Sequence, residues 1–190
     1  MVLTTTNALT RFAALLTMVL LVVAARALSA DAAADPAFEE VAAWDADKPA
    51  KCLRTVEMIV GHALPDAAAR RQVADRLAGM LAEPKLSLAA RNFVCGQLAF
   101  AGDEKDVPVL AKMVAAADTA DMARRALAMI PGEASGKVLR EAVGTLKGTA
   151  LAGLVASLGE RRDAAAVEAI GKCLEGADEQ VFAAAVVALG

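Results

Sequence analysis

From residue 49 onward apolar residues recur at intervals of three and four, and a glycine, proline or aspartate interrupts the pattern every 10–17 residues. Leu151, Leu154, Val155 and Leu158 stand at i, i+3, i+4 and i+7, the spacing that lines one face of an α-helix. Val138, Leu139, Ala142, Val143 and Leu146 follow the same rule, as do Val181, Ala184, Ala185, Ala188 and Leu189. No stretch beyond residue 48 shows the strict two-residue alternation of a half-buried strand. The breaks fall at Pro65-Asp66, Pro84, Gly102-Asp103, Pro131-Gly132, Gly159 and Gly176. The spacing therefore predicts helices near 37–47, 50–62, 66–82, 87–101, 107–116, 120–130, 134–146, 150–159, 163–175 and 179–190. Pro108 falls in a first turn, where its missing N–H costs nothing. Asp118, Thr119 and Asp163 are placed to cap the helices that follow them. The connections are short, so successive helices must run antiparallel.

A longer period underlies the short one. Leu110, Leu139 and Ile170 are spaced by 29 and 31 residues, and so are Val114, Val143 and Leu174 one turn further on. Gly102, Gly132, Gly159 and Gly190 are spaced by 30, 27 and 31. Two helices in each unit of about 30 residues imply an all-α chain wound as a right-handed α-α superhelix, an α-solenoid. No single hairpin of this kind buries its own apolar stripe, so stacking of neighbours must complete the core. Composition agrees. Hydrophobic residues make up 57% of the 190 but aromatic ones only 3%, and 48 are alanine, so the apolar mass suits thin, closely packed helices.

The first 30 residues stand apart. Arg11 precedes an apolar run from Phe12 to Ala25, and small residues gather at Ala27–Ala30, the three-part pattern of a secretory signal with a cut after Ala30. A run of about 14 is short for a membrane span, which needs about 20. An uncleaved N-terminal anchor is the alternative. Removing Arg11 and Arg26 with no acid takes the net charge from −3 to −5, leaving 18 bases against 23 acids. Such a surface gives no reason to expect nucleic acid or anionic lipid as a partner. The expected organisation is a signal peptide (1–30), an N-terminal capping segment (31–48) and the repeat array (49–190). The array is expected to continue past residue 190, because Ala183–Leu189 lacks the polar face of a closing helix.

Chemistry-bearing residues are few. Cys52 and Cys95 fall in the first helices of adjacent units, and in an exported chain they are either a disulfide or two buried thiols. Cys173, beside Leu174, reads as a small core hydrophobe. One histidine and three scattered cysteines leave little for a metal cluster, and no CxxC occurs. His62 at a helix end suits the C-terminal dipole. Glu39-Glu40, Asp45, Asp47 and Asp103-Glu104-Asp106 are acids at element edges, where caps and solvated surface are usual. The pairs Arg70-Arg71, Arg124-Arg125 and Arg161-Arg162 are more telling: one member can bridge to a neighbouring unit while the other faces outward. Arg161-Arg162, in the turn after Gly159, is a candidate ridge for contact with an acidic partner. Trp44 and Phe38 are expected to plug the N-terminal end.

Three phrases carry a resemblance: "AMIPGEASGKVLREAV" (128–143), "GLVASLGERRDAAAVEAIGKCL" (153–174) and "VFAAAVVALG" (181–190). They resemble HEAT-type repeats, more narrowly the short-period repeats of phycobilisome-lyase-like proteins, over about residues 50–190. "SLAARNFVCGQLAFAGDEKDVPVLAKMV" (87–114) resembles a more diverged unit. The chain also resembles exported bacterial HEAT-repeat proteins. The resemblance implies a scaffold or binding surface for a protein partner, with no cofactor and no catalytic residue carried over. Two rival expectations remain: an accessory part of a larger secreted enzyme or redox protein, and a lyase-like chromophore binder. Zero tyrosine and one tryptophan count against the last.

Overall fold

A computed structural model describes residues 32–175 and 178–190. The signal-like segment and the Gly176 break lie outside the described residues. The described chain forms ten α-helices and no strand: α1 (Ala37–Ala42), α2 (Lys51–Ala63), α3 (Ala67–Leu81), α4 (Leu88–Ala101), α5 (Val107–Val114), α6 (Ala120–Met129), α7 (Glu133–Ala142), α8 (Gly148–Glu160), α9 (Val167–Lys172) and α10 (Glu179–Leu189). Short 3-10 turns, Glu104–Asp106 and Ala164–Ala166, lead into α5 and α9.

Sequence-local chemistry sets most boundaries. Asp66, Ser87 and Asp178 accept backbone N–H groups at the starts of α3, α4 and α10. Asp103 and Asp163 each take the N–H two residues on, which tightens the entry to α5 and α9 into 3-10 geometry; the turn lies ahead of the expected start of α5 but takes up the first residues expected of α9, which begins only at Val167. Thr119 precedes α6 but does not cap it. Its hydroxyl turns back to the Met113 carbonyl at 2.7 Å and closes α5 instead. Pro108 sits in the first turn of α5 as expected.

Each even-numbered helix from α2 to α8 packs on the next even-numbered one, while α3 lies on α2 and α4, α5 on α6, α7 on α6, α8 and α5, and α9 on α10. One core joins them. Leu110, Leu139 and Ile170 are all buried in it, with exposures of 0%, 0% and 2%. Val114 is buried as well, whereas Val143 and Leu174 are half-buried at the margin, each just past the end of its helix. Two of the periodic glycines have distinct local causes. Gly132 holds φ at +103°, a backbone conformation that side-chain-bearing residues avoid. At Gly159 an added Cβ would stand 2.7 Å from the Ala188 Cβ and 2.8 Å from its Cα, so the close approach of α8 and α10 requires glycine there.

At the N-terminal end Phe38 and Val41 of α1 are fully buried, and the Arg76 guanidinium lies 5.9 Å from the centre of the Phe38 ring. Trp44 is half-buried; its indole N–H donates to the Lys48 carbonyl, and its own carbonyl accepts from Ser87. No helix among the described residues is long and apolar enough to cross a membrane.

Candidate functional site

The three arginine pairs divide in the same way. Arg71 is tucked in while Arg70 is exposed; Arg124 is tucked in while Arg125 is more open; Arg161 turns inward while Arg162 is exposed. The inward members hold neighbouring elements together. Arg71 of α3 gathers three carboxylates: Asp75 at 2.9 Å, Asp103 at 2.9 Å and buried Asp106 at 2.6 Å. Hydrogen bonding to Asp106 raises the Arg71 pKa further above its already high value. Arg124 of α6 donates to the Ser157 hydroxyl of α8, and its guanidinium lies against Gly153, where the missing Cβ leaves it room. Asp121 is drawn below the usual carboxylate range chiefly by its hydrogen bond from Arg124.

Arg161 corrects an expectation. Its guanidinium donates to the carbonyls of Leu127 (3.0 Å), Ala128 (2.9 Å), Ile130 (2.7 Å) and Gly132 (2.9 Å), and to the Ser135 hydroxyl (2.9 Å). Those groups close the C-terminus of α6, where a helix presents unpaired carbonyls and favours a cation. Arg161 is thus committed within the fold, and the proposed contact ridge is reduced to Arg162. That residue takes a left-handed backbone, φ +52°, with its N–H donating to the Gly159 carbonyl at 2.8 Å, and its side chain makes no ion pair or hydrogen bond among the described residues.

The cysteines are all free, so the Cys52–Cys95 bridge is absent and the buried-thiol alternative is the one found. Burial pushes the Cys95 thiol up to about 12, against the opposing charges of Arg91 and Arg125. Half-buried Cys173 is pushed up for the same reason, and its thiol lies 3.4 Å from the Ala169 carbonyl. His62 is exposed on the last turn of α2, and no group of three metal-ligating side chains occurs among the described residues.

Two concave surfaces follow from the packing. A cleft of about 610 Å³ opens between α7 and α9, floored by Leu151 and Val181 and walled by Val143, Ala169 and Cys173. At its rim Lys172 and Glu168 pair at 2.7 Å; the pairing lowers the Glu168 pKa and raises that of Lys172. Arg140, on the other wall, holds Asp163 at 2.6 Å. The second surface is a groove of about 280 Å³ between α4 and α6, lined by Gly96, Phe100, Met122 and Met129. Phe100 and Met129 are more than half exposed there, and Arg125 reaches across to Asn92 at 2.8 Å.

Sequence reasoning did not anticipate the groove, because Phe100 and Met129 fit a core pattern as well as a surface one. It also missed Arg91, whose guanidinium donates to the carbonyls of Leu81 (2.9 Å) and Leu86 (3.1 Å) and fastens the α3–α4 connection. No local motif marks such a cap. Comparison of the chain with family models, with curated proteins and with solved structures returned no match.

Proposed function

We propose that the chain is a non-catalytic protein-interaction module, a HEAT-like right-handed α-solenoid exported from a bacterial cell. The contact of each even-numbered helix with the next supports the stacked-repeat reading, as do Asp103 and Asp163, which open matching 3-10 turns two periods apart. The observation that carries the functional reading is the α4–α6 groove. Two large apolar side chains, Phe100 and Met129, stay open to solvent beside a polar Asn92–Arg125 clasp, the mixture of apolar centre and polar rim that protein interfaces use. The partner is a protein segment that inserts an apolar side chain between Phe100 and Met129. Replacing both by serine should leave helix content unchanged, since neither is buried. It should abolish the complex that wild-type chain forms in periplasmic extract, read as a band of fixed stoichiometry after cross-linking. Equal capture by both forms overturns the reading.

Export supplies a separate prediction. The mature protein recovered from the periplasm should begin at Asp31, as read by N-terminal sequencing; a chain still carrying Met1–Ala30 would instead identify an anchor.

A further inference from the structure

The polar end of the α4–α6 groove is built for an anion. Arg125 is the one charged side chain lining the groove among the described residues, and no acid lines it. α4 carries Arg91 and no acid, while α6 carries Arg124, Arg125 and a single acid, Asp121. That acid is already shared, 2.6 Å from Arg124 and 3.2 Å from Arg125, so the three side chains together keep one positive charge. In a chain of net charge −3 such a patch favours an incoming anion. The hydrogen bonds agree with the charge. Asn92 Oδ1 accepts from Arg125 at 2.8 Å, which leaves both Nδ2 hydrogens of Asn92 and three guanidinium hydrogens without a partner among the described residues. The clasp therefore offers chiefly donors to whatever enters. One helical turn on, about 6 Å along α4, Gly96 opens the floor, where an added Cβ would meet nothing within 4 Å. Phe100 lies a further turn on, and Met122 and Met129 of α6 complete the lining. α4 and α6 are flanked by α2 and α8, so the groove is an interior feature of the array.

We propose that the groove takes the C-terminus of a partner polypeptide, with the α-carboxylate on Asn92 and Arg125 and the large apolar side chain of that last residue over Gly96, against Phe100 and Met129. The inference rests on the reading of the groove as a protein-binding site and names the end of the partner that enters it. The spacing fits, because an α-carboxylate and the tip of its own side chain stand about 5–6 Å apart. An internal segment would bring a carbonyl dipole to the clasp where a chain end brings a full charge, and a charge-assisted hydrogen bond is about twice as strong as a neutral one. Two methionine sulfurs favour an aromatic side chain at that last position. At about 280 Å³ the groove holds one side chain and lies below the usual size of a small-molecule site, about 300–1,000 Å³, so a free fatty acid is the poorer occupant.

Titration of the 15N-labelled full chain with acetyl-Gly-Ser-Ala-Phe, followed through the amide shifts of Gly96 and Arg125, should show saturable binding. The same peptide with a C-terminal amide should bind about 10-fold more weakly, for want of a charged acceptor. Asn92→Asp and Arg125→Gln, both at exposed positions, should erase that preference and leave the weaker amide affinity in place. Gly96→Leu should keep the helix content, since its Cβ has room, and should abolish binding of both peptides by filling the floor. Octanoate should displace the free-acid peptide only at concentrations above the peptide's own Kd. No shift with either peptide, equal binding of acid and amide, a preference that survives both Asn92→Asp and Arg125→Gln, or octanoate as the tighter ligand overturns the assignment. Replacing Phe100 and Met129 together by serine separates it from the reading beneath it. If that pair of changes weakens neither peptide, the apolar slot fails and the carboxylate site with it, whereas equal binding of acid and amide removes the carboxylate site alone.

Discussion

Replacing Arg161 by alanine is expected to lower the unfolding free energy by about 3 kcal/mol, from the loss of several charge-assisted hydrogen bonds in a partly wet site. The side chain is anchored at the end of α8, yet four carbonyls that accept from it belong to the end of α6 and the turn after it. Ile130 is fully buried beside those carbonyls, and the Ser135 hydroxyl, also buried, donates to the Ile130 carbonyl at 2.7 Å while accepting from Arg161. Alanine would leave this cluster of oxygens short of donors. Arg161→Lys should recover only part of the loss, because an ammonium has three donors at one point and cannot span the set that a planar guanidinium reaches. Arg162→Ala, one residue on and exposed, should stay within about 0.5 kcal/mol of wild type. Urea unfolding followed by circular dichroism checks all three. Equal effects at 161 and 162 would mean that the guanidinium cap at α6 contributes nothing.

The contrast between these adjacent arginines shows where sequence reasoning stops. The 3.6-residue period located all ten helices, because each must turn an apolar stripe inward and the stripe is written in consecutive residues. The odd-numbered ones are shorter than the pattern predicts. α7 ends at Ala142 where the pattern runs to Leu146, and α9 covers only Val167–Lys172 of the expected 163–175. Capping explains this: Asp163 and the Thr145 hydroxyl, which donates to the Ala142 carbonyl, spend backbone-competing hydrogen bonds at the termini, and no apolar pattern records them. The division of Arg70-Arg71 and Arg124-Arg125 into an inner and an outer member follows from the sequence, since adjacent helical residues point about 100° apart, whereas Arg161 and Arg162 lie past the end of α8, where the left-handed backbone of Arg162 accompanies the division. The acceptor does not follow. Arg161 and Ile130 are 31 positions apart, and only the packing of α8 against α6 brings them together. The groove at Phe100 and Met129 is hidden for a related reason: whether an apolar residue is covered depends on how far two helices stand apart.

The cluster around Arg71 should give the other large effect. Asp106 is 2% exposed, and its two oxygens accept from the Arg71 guanidinium at 2.6 and 2.9 Å and from the Asp103 amide at 2.9 Å. Arg71→Met should cost about 4 kcal/mol, because a buried carboxylate would lose its countercharge while the methionine keeps much of the packing. Asp106→Ala should cost less, about 3 kcal/mol, since Arg71 retains Asp75 and Asp103. The double variant should fall short of the sum by about 1–3 kcal/mol, the signature of a shared interaction. Acid gives a further check on the same cluster. Asp103 titrates below its ordinary 3.8, held down first by the Lys105 amide and then by Arg71. Its pKa is thus lower in the folded chain than in the unfolded one, so its contribution is whole above about pH 4 and fades as the pH falls through the depressed folded value. Wild-type stability should therefore hold level from neutrality to about pH 4 and drop below it. The drop should be shallower in Arg71→Met, where the guanidinium that favours the charged form of Asp103 is gone. Denaturant midpoints measured between pH 7 and pH 2.5 decide the matter: parallel acid limbs in the two proteins would show that Arg71 does not couple to these carboxylates.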